Sequence, residues 1–186
     1  MKLLLDIGNS RIKVATADQN GLTLYSAIDR SHLTGANPGL TDSKVKVPLL
    51  SLLPSAASGC LASSVADPNF NRSVEQALAP MSVNWVTSGT AVAGVTNAYP
   101  DPSQLGVDRW VAMLGLRFHF GVEHPPIVLA NFGTATTIDT LSPDNRFEGG
   151  LILPGITMMH DALARGTANL PRARGDIEAF ISGYSC

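Results

Sequence analysis

The sequence predicts an α/β fold of two related lobes, and two observations support that prediction. Residues 3–25 contain apolar runs separated by turns rich in Gly and Asn, which is typical of three strands joined tightly. The same strand-turn-strand-turn-strand design recurs in residues 127–153, where Gly133 lies 125 positions after Gly8. A duplication of this size indicates two lobes of related topology, which we assign to residues 1–120 and 121–186.

Further elements are expected between and after the two copies. Residues 59–65, 69–79 and 83–86 should form a buried strand, a helix and another strand. A helix that crosses between the lobes is indicated by five apolar residues at helical spacing, namely Val107, Trp110, Val111, Leu114 and Phe118. Gly121 and two prolines should end it, and residues 156–163 should form a last helix.

Composition favours small-molecule chemistry. Charged residues make up only 15% of the chain, the formal net charge is -2, and Lys and Arg form no runs, so nothing indicates nucleic acid or an anionic membrane as a partner. Apolar residues reach 45%, which makes an oligomer plausible, but no run approaches a membrane span or a signal-peptide core. We therefore expect a cytoplasmic protein. Cys60 and Cys186 have no metal or redox spacing, and we read both as ordinary small side chains.

The turn after the first strand, with Asp6, Gly8, Asn9 and Ser10, could cradle phosphate through backbone N–H groups and the serine hydroxyl. Asp6 would then face a phosphate-bound magnesium ion. A plain hairpin turn is the alternative, because Gly and Asn are also the best turn formers. The second copy repeats the design at residues 133–137, and two such loops would clamp a nucleotide's phosphates. No P-loop motif occurs.

Asp108 and Arg109 stand side by side at the start of the predicted interlobe helix. Asp108 could accept the proton of an attacking hydroxyl, and Arg109 could bind a carboxylate or steady charge on a transferring phosphoryl group. Alternatively, Asp108 only caps the helix. We interpret residues 149–155 as a structural segment, in which a strand enters a helix through a tight turn. No catalytic role is assigned to the four histidines, His32, His119, His124 and His160.

Taken together, these segments resemble type III pantothenate kinases, a family that includes the Bvg accessory factors. Four motifs in the expected order carry the resemblance: residues 6–10, Tyr99 with residues 106–109, residues 132–137 and residues 149–155. The resemblance implies an actin-like (ribonuclease-H-like) fold with duplicated lobes, and a homodimer with its substrate pocket near the subunit interface. It also implies the transfer of the γ-phosphoryl group of ATP to pantothenate, at the start of coenzyme A synthesis.

The resemblance assigns roles to individual residues. The implied ATP site comprises Asp6, Ile7, Gly8, Asn9, Ser10, Arg11, Ile12, Lys13 and Thr134. The implied pantothenate site comprises Tyr99, Gly106, Val107, Asp108 and Arg109, with Asp108 as general base. The implied cofactors are Mg²⁺ and a monovalent cation, K⁺ or NH₄⁺.

Two departures from the family pattern bear on these roles. Asn131 replaces the aspartate associated with the monovalent cation, so that site should be weaker. Family members are also longer, so the resemblance implies an incomplete second lobe, in which Ile177 would take the place of a substrate-binding threonine. The main alternative is a catalytically silent nucleotide- or pantothenate-binding regulatory protein on the same scaffold. A different actin-like enzyme, such as a sugar kinase or phosphatase, is disfavoured by the motif at residues 106–109.

Overall fold

The computed structural model of this chain describes residues 1–30, 57–121 and 126–168. The first copy of the predicted unit forms β1 (Lys2–Ile7), β2 (Arg11–Asp18) and β3 (Gly21–Asp29). The remaining described elements, in chain order, are β4 (Cys60–Ser64), α1 (Pro68–Leu78), β5 (Val83–Trp85), β6 (Ala91–Val92), β7 (Val95–Asn97), a 3-10 helix (Pro102–Gln104), α2 (Val107–Phe120), β8 (Ile127–Phe132), β9 (Ala135–Leu141), β10 (Arg146–Pro154) and α3 (Ile156–Gly166).

The first sheet has the strand order β3-β2-β1-β4-β5. The meander β1-β2-β3 is antiparallel, while β4 pairs parallel to β1 and β5 parallel to β4. This order and these directions are those of the ribonuclease-H-like unit that actin-like proteins duplicate. The predicted actin-like α/β fold is therefore confirmed, including the strand, helix and strand expected after the meander.

The core of the first sheet lies beneath α1. Side chains alternate along β1, so that Leu3, Leu5 and Ile7 are at most 3% exposed. Helix α1 begins where the Asp67 carboxylate accepts a hydrogen bond from the Phe70 amide, which satisfies one of the unpaired N–H groups at a helix start. The helix then buries five residues, namely Phe70, Ser73, Val74, Ala77 and Leu78.

The second sheet has the order β6-β7-β10-β9-β8. Its strands β10-β9-β8 repeat the order β3-β2-β1, which confirms the predicted second copy. The hairpin β6-β7 pairs parallel to β10 through β7 and was not predicted. Strands of two and three residues are too short to show a period-two pattern.

Two compact units can be distinguished in the chain. One consists of Met1–Val128 with Asp139–Gly149, and the other of Leu129–Ile138 with residues from 150 onward. Strands β8, β9 and β10 contribute to both units. The assignment of lobes to residues 1–120 and 121–186 stays a prediction. None of the helices within the described residues is long and apolar enough to cross a membrane.

The buried face of α2 differs from the predicted one. Val107 and Trp110 are buried as expected, but Phe118 is 91% exposed, so its assignment to the apolar face was wrong. The buried stripe instead includes Arg109 and Arg117. Both guanidinium groups find oxygen partners, which allows a charged head to be buried where periodicity alone would place an apolar one.

Candidate active site

Strand register places Asp6 between two polar partners. Its pairing residue on β2 is Lys13, and its pairing residue on β4 is Ser63. The Lys13 ammonium lies 2.9 Å from Oδ2 of Asp6, and the Ser63 hydroxyl donates to Oδ1 over 3.1 Å. The Asp6 side chain is 40% exposed, so it is oriented by its neighbours and still reachable by a ligand. Ser63 carried no signal in the sequence.

The turn after β1 is held by Arg30, at the end of β3. Gly8 closes the turn by donating to the Arg11 carbonyl over 2.9 Å. The Arg30 guanidinium donates to the carbonyl oxygens of Gly8 and Asn9, each at 3.1 Å, and its backbone N–H donates to Ser10 at 2.8 Å. Three carbonyl groups of the turn are therefore occupied by one residue that the sequence analysis missed.

Arg30 is itself supported by α1. Its guanidinium carbon lies 4.3 Å from the centre of the Phe70 ring, and its Nη2 lies 3.6 Å from the Asp67 carboxylate. The conformation of the turn thus depends on packing against a helix that begins more than fifty residues later.

The other residues of the predicted ATP segment divide into two groups. Ile7 and Ile12 are 1% and 0% exposed and pack in the core, so only their backbone could meet a nucleotide. The exposed side chains of the segment are those of Asn9, Ser10, Arg11 and Lys13.

Asp108 is oriented by the first turn of α2. The cap of this helix is Gly106, which supplies no side-chain hydrogen bond, and Asp108 is the second helical residue. Its Oδ1 accepts from the Arg109 amide over 2.8 Å, so it satisfies one N–H of the helix start. A methyl group on Gly106 would lie 2.7 Å from that oxygen, so the Asp108 side chain would have to shift to accommodate it. Oδ2 has no hydrogen bond from the described residues, so capping leaves half of the carboxylate available.

Arg109 makes a buried ion pair with Asp139 on β9. Its Nε lies 3.0 and 3.2 Å from the two carboxylate oxygens, and its Nη2 bonds Oδ1 as well. Arg109 is 7% exposed and Asp139 is 0% exposed. The hydrogen bonds that Arg109 donates to Asp139 raise the pKa of Arg109, against the opposing effect of burial, and Tyr99 adds to the rise. Asp139 was missed, and its signal in the sequence was a carboxylate between Ile138 and Thr140 within a predicted strand.

Tyr99 stands beside this pair. It contributes to the raised pKa of Arg109, and its ring lies 6.3 Å from that of Phe147, which in turn lies under the Arg109 guanidinium at 5.9 Å. Gly149 has a φ of 99°, and a methyl group there would lie 3.3 Å from the Tyr99 ring. Residues 149–155, which the sequence analysis interpreted as purely structural, thus also pack against Tyr99, a predicted substrate-binding residue.

The second turn, in the other unit, is held by the start of α3. Gly133 donates to the Ala135 carbonyl, and Gly155 donates to the Thr134 carbonyl, each at 3.0 Å. A methyl group on Gly155 would overlap the carbonyl oxygens of Gly133 and Thr134. Asn131 and Thr134 are both exposed.

The described residues contain no group of three His, Cys, Asp or Glu side chains that could hold a metal ion. A magnesium ion bound mainly through phosphates needs only one or two carboxylates, and Asp6 fits that requirement. Cys60 is 1% exposed, and burial raises the pKa of its thiol to about 11, as expected of an unreactive packing residue. Ile177, His32 and His124 lie outside the described residues.

Comparison with known proteins finds one family, both by a family match and among curated relatives. The family Type III pantothenate kinase matches residues 2–182. Curated type III pantothenate kinases of Bordetella petrii, Halorhodospira halophila and Bordetella bronchiseptica are 45%, 40% and 38% identical to the chain. These alignments cover 97%, 92% and 94% of this chain but 66%, 66% and 64% of the relatives. The chain therefore spans just under two thirds of the relatives' length.

Among solved structures, one match is the crystal structure of a putative 2-dehydro-3-deoxygalactonokinase from Sinorhizobium meliloti, with a TM-score of 0.47 and 16% identity. That match covers 90% of this chain and 57% of the other.

Proposed function

Because this chain belongs to the type III pantothenate kinase family, we propose that it transfers the γ-phosphoryl group of ATP to the primary hydroxyl of pantothenate. The product is 4'-phosphopantothenate, and the reaction is the first step of coenzyme A biosynthesis. The observation that carries the proposal is the cluster of Tyr99, Asp108 and Arg109, in which hydrogen bonds orient Asp108 and Arg109 and Tyr99 lies near Arg109.

Asp108 is the general base in this proposal. One oxygen is held by the first turn of α2, and the other accepts the proton of the attacking hydroxyl. The carboxylate is half-buried, which limits its contact with water while leaving it accessible to a substrate. General-base catalysis of this kind typically contributes about 10²- to 10⁴-fold to the rate.

Substrate binding is divided between two sets of residues. Tyr99 and Arg109 bind pantothenate together with Gly106 and Val107, and Arg109 receives its carboxylate. Residues 6–13 and Thr134 bind ATP. A magnesium ion bound to ATP neutralises phosphate charge, and Asp6 faces it. The exposed ion pair of Asp6 with Lys13 stabilises the fold little, so Lys13 is free to turn toward phosphate.

The remaining proposals concern the whole protein. Asn131 supplies a carbonyl ligand to K⁺ or NH₄⁺, with weaker binding than a carboxylate would give. The protein acts in the cytoplasm as a homodimer. The low content of charged residues, 15%, is compatible with a subunit interface, and family membership supports both statements.

The test is ADP release by the purified 186-residue chain with ATP, magnesium and potassium, with and without pantothenate. We expect pantothenate-dependent release that Asp108→Asn lowers by at least about 100-fold, because the amide cannot accept the proton. ATP binding should be retained. Asp144→Asn, an exposed aspartate in the turn before β10, is the matched control and should leave the rate unchanged.

Two results would contradict the proposal. Absence of pantothenate-dependent ADP release from a folded wild-type chain would remove the activity. Full turnover by Asp108→Asn would remove Asp108 from the mechanism while leaving the kinase in place.

A further inference from the structure

We propose that Asp139 is a positioning residue for Arg109, whose guanidinium it holds in one orientation and whose charge it balances. The inference deepens the proposed function and rests on it, because Arg109 is a substrate-binding residue only if the chain binds pantothenate. Asp139 is fully buried and meets Arg109 across 30 positions of sequence.

The geometry determines which donors remain for a ligand. A guanidinium has five N–H groups in a fixed plane, one on Nε and two on each terminal nitrogen. Asp139 takes the Nε edge, through Nε and one N–H of Nη2. The donors that remain for a ligand are both N–H groups of Nη1 and the second N–H group of Nη2. A substrate carboxylate binds donors of this set, beside Tyr99.

Charge balance distinguishes the two roles considered for Arg109. An arginine that steadies a transferring phosphoryl group acts through its net positive charge. Here the positive charge of Arg109 is balanced by the Asp139 carboxylate, which it contacts directly, and both side chains are at most 7% exposed. Arg109 is therefore an oriented hydrogen-bond donor, and binding a planar carboxylate requires little further ordering of its side chain.

A purely structural role for the pair is the competing explanation. Buried ion pairs contribute little net stability, because the loss of hydration offsets their attraction, and apolar replacements are often equally stable. The position of the pair argues for function instead. Arg109 adjoins Asp108 in sequence and lies near Tyr99, and both neighbours belong to the proposed pantothenate site.

The first experiment compares Asp139→Asn with wild type in steady-state kinetics and in calorimetric titration with pantothenate. We expect the pantothenate KM and Kd to rise by at least about 10-fold, since a misoriented donor loses a charge-assisted bond, while the ATP KM changes less than about 2-fold. Glu148→Gln removes a carboxylate from the exposed ion pair with Arg146 and is the matched control, with no expected change.

A double-mutant cycle tests whether Asp139 acts through Arg109. Arg109→Ala should raise the pantothenate KM by itself, and adding Asp139→Asn should raise it no further, because the group being positioned is already gone. Independent, additive effects of the two substitutions would overturn the proposal. So would an unchanged pantothenate KM in Asp139→Asn.

If Asp139→Asn fails to fold, a variant that lacks both the Arg109 and the Asp139 charge serves as the control. The variant Arg109→Met with Asp139→Leu should fold, because no unpaired charge is left buried. It should bind an ATP analogue and lose pantothenate affinity, and retention of that affinity would overturn the inference. If the wild-type chain neither binds nor phosphorylates pantothenate, the proposed function is overturned. If the wild-type chain is active and Asp139→Asn behaves like it, only the inference about Asp139 is overturned.

Discussion

Helix α1, which lies between β4 and β5, and helix α3, which comes directly after β10, differ in how many of their residues are buried. Helix α1 buries five of its residues, and the β1 side chains beneath it are almost inaccessible. Helix α3 buries none of its residues against the described part of the chain. The exposed apolar side chains around it include Leu151, Ile152, Ile156, Met158 and Leu163. Similar local patterns therefore produce similar strands, but burial depends on what packs against each sheet.

The largest expected effect comes from truncating matched apolar residues on the two helices. Phe70→Ala removes a ring that is 2% exposed in the core and should lower the free energy of unfolding by about 3–5 kcal/mol. Leu163→Ala removes a side chain that is 54% exposed and should cost under about 1 kcal/mol. Urea unfolding of both variants measures the difference. Equal losses would show that α3 is as deeply packed in solution as α1.

A smaller effect is expected at the start of α3. Gly155→Ala would force a methyl group into the carbonyl oxygens of Gly133 and Thr134, so we expect a loss of about 1–3 kcal/mol and a weaker affinity for ATP. Gly166→Ala, at the other end of the same helix, has open space around it and should be neutral or slightly stabilising. Unfolding and nucleotide titration measure both. A stable Gly155→Ala variant with unchanged ATP affinity would show that the close contact of Gly155 with the carbonyl oxygens of Gly133 and Thr134 is not needed.

The smallest effect concerns the start of α1, where a side chain supplies the cap that α3 lacks. Asp67→Ala should cost about 1 kcal/mol, because the Phe70 amide loses its acceptor. Asp67→Asn keeps an acceptor oxygen and should cost less, although it removes the charge facing Arg30. Thermal unfolding distinguishes them. If both variants lose the same stability, the ion pair with Arg30 matters more than the cap.

Much of the fold was predictable because it follows from local rules. Both meanders, both glycine turns, and helices α1, α2 and α3 were expected from periodicity and turn residues. The short hairpin β6-β7 was missed because two or three residues carry no measurable period. Phe118 was misplaced because helical spacing identifies a stripe of residues, whereas the buried stripe of α2 also accommodates two arginines with oxygen partners.

The candidate site was predictable only in part. Asp6, Gly8, Asp108 and Arg109 were identified from turn chemistry and from the family motif. Their partners were not, because the residues that orient them are distant in sequence. Ser63 meets Asp6 across 57 positions, and Arg30 meets Gly8 across 22.

By itself, the sequence determined the α/β class, the duplicated meander and the family, and it supplied the residues that we propose for phosphoryl transfer. These features depend on side-chain periodicity and on turn conformations, which are properties of neighbouring residues. Only the tertiary structure decided that Arg109 is balanced by Asp139 and that Arg30 holds the first turn. Such contacts depend on how elements distant in sequence pack and pair, and local patterns do not encode which partners the folded chain brings together.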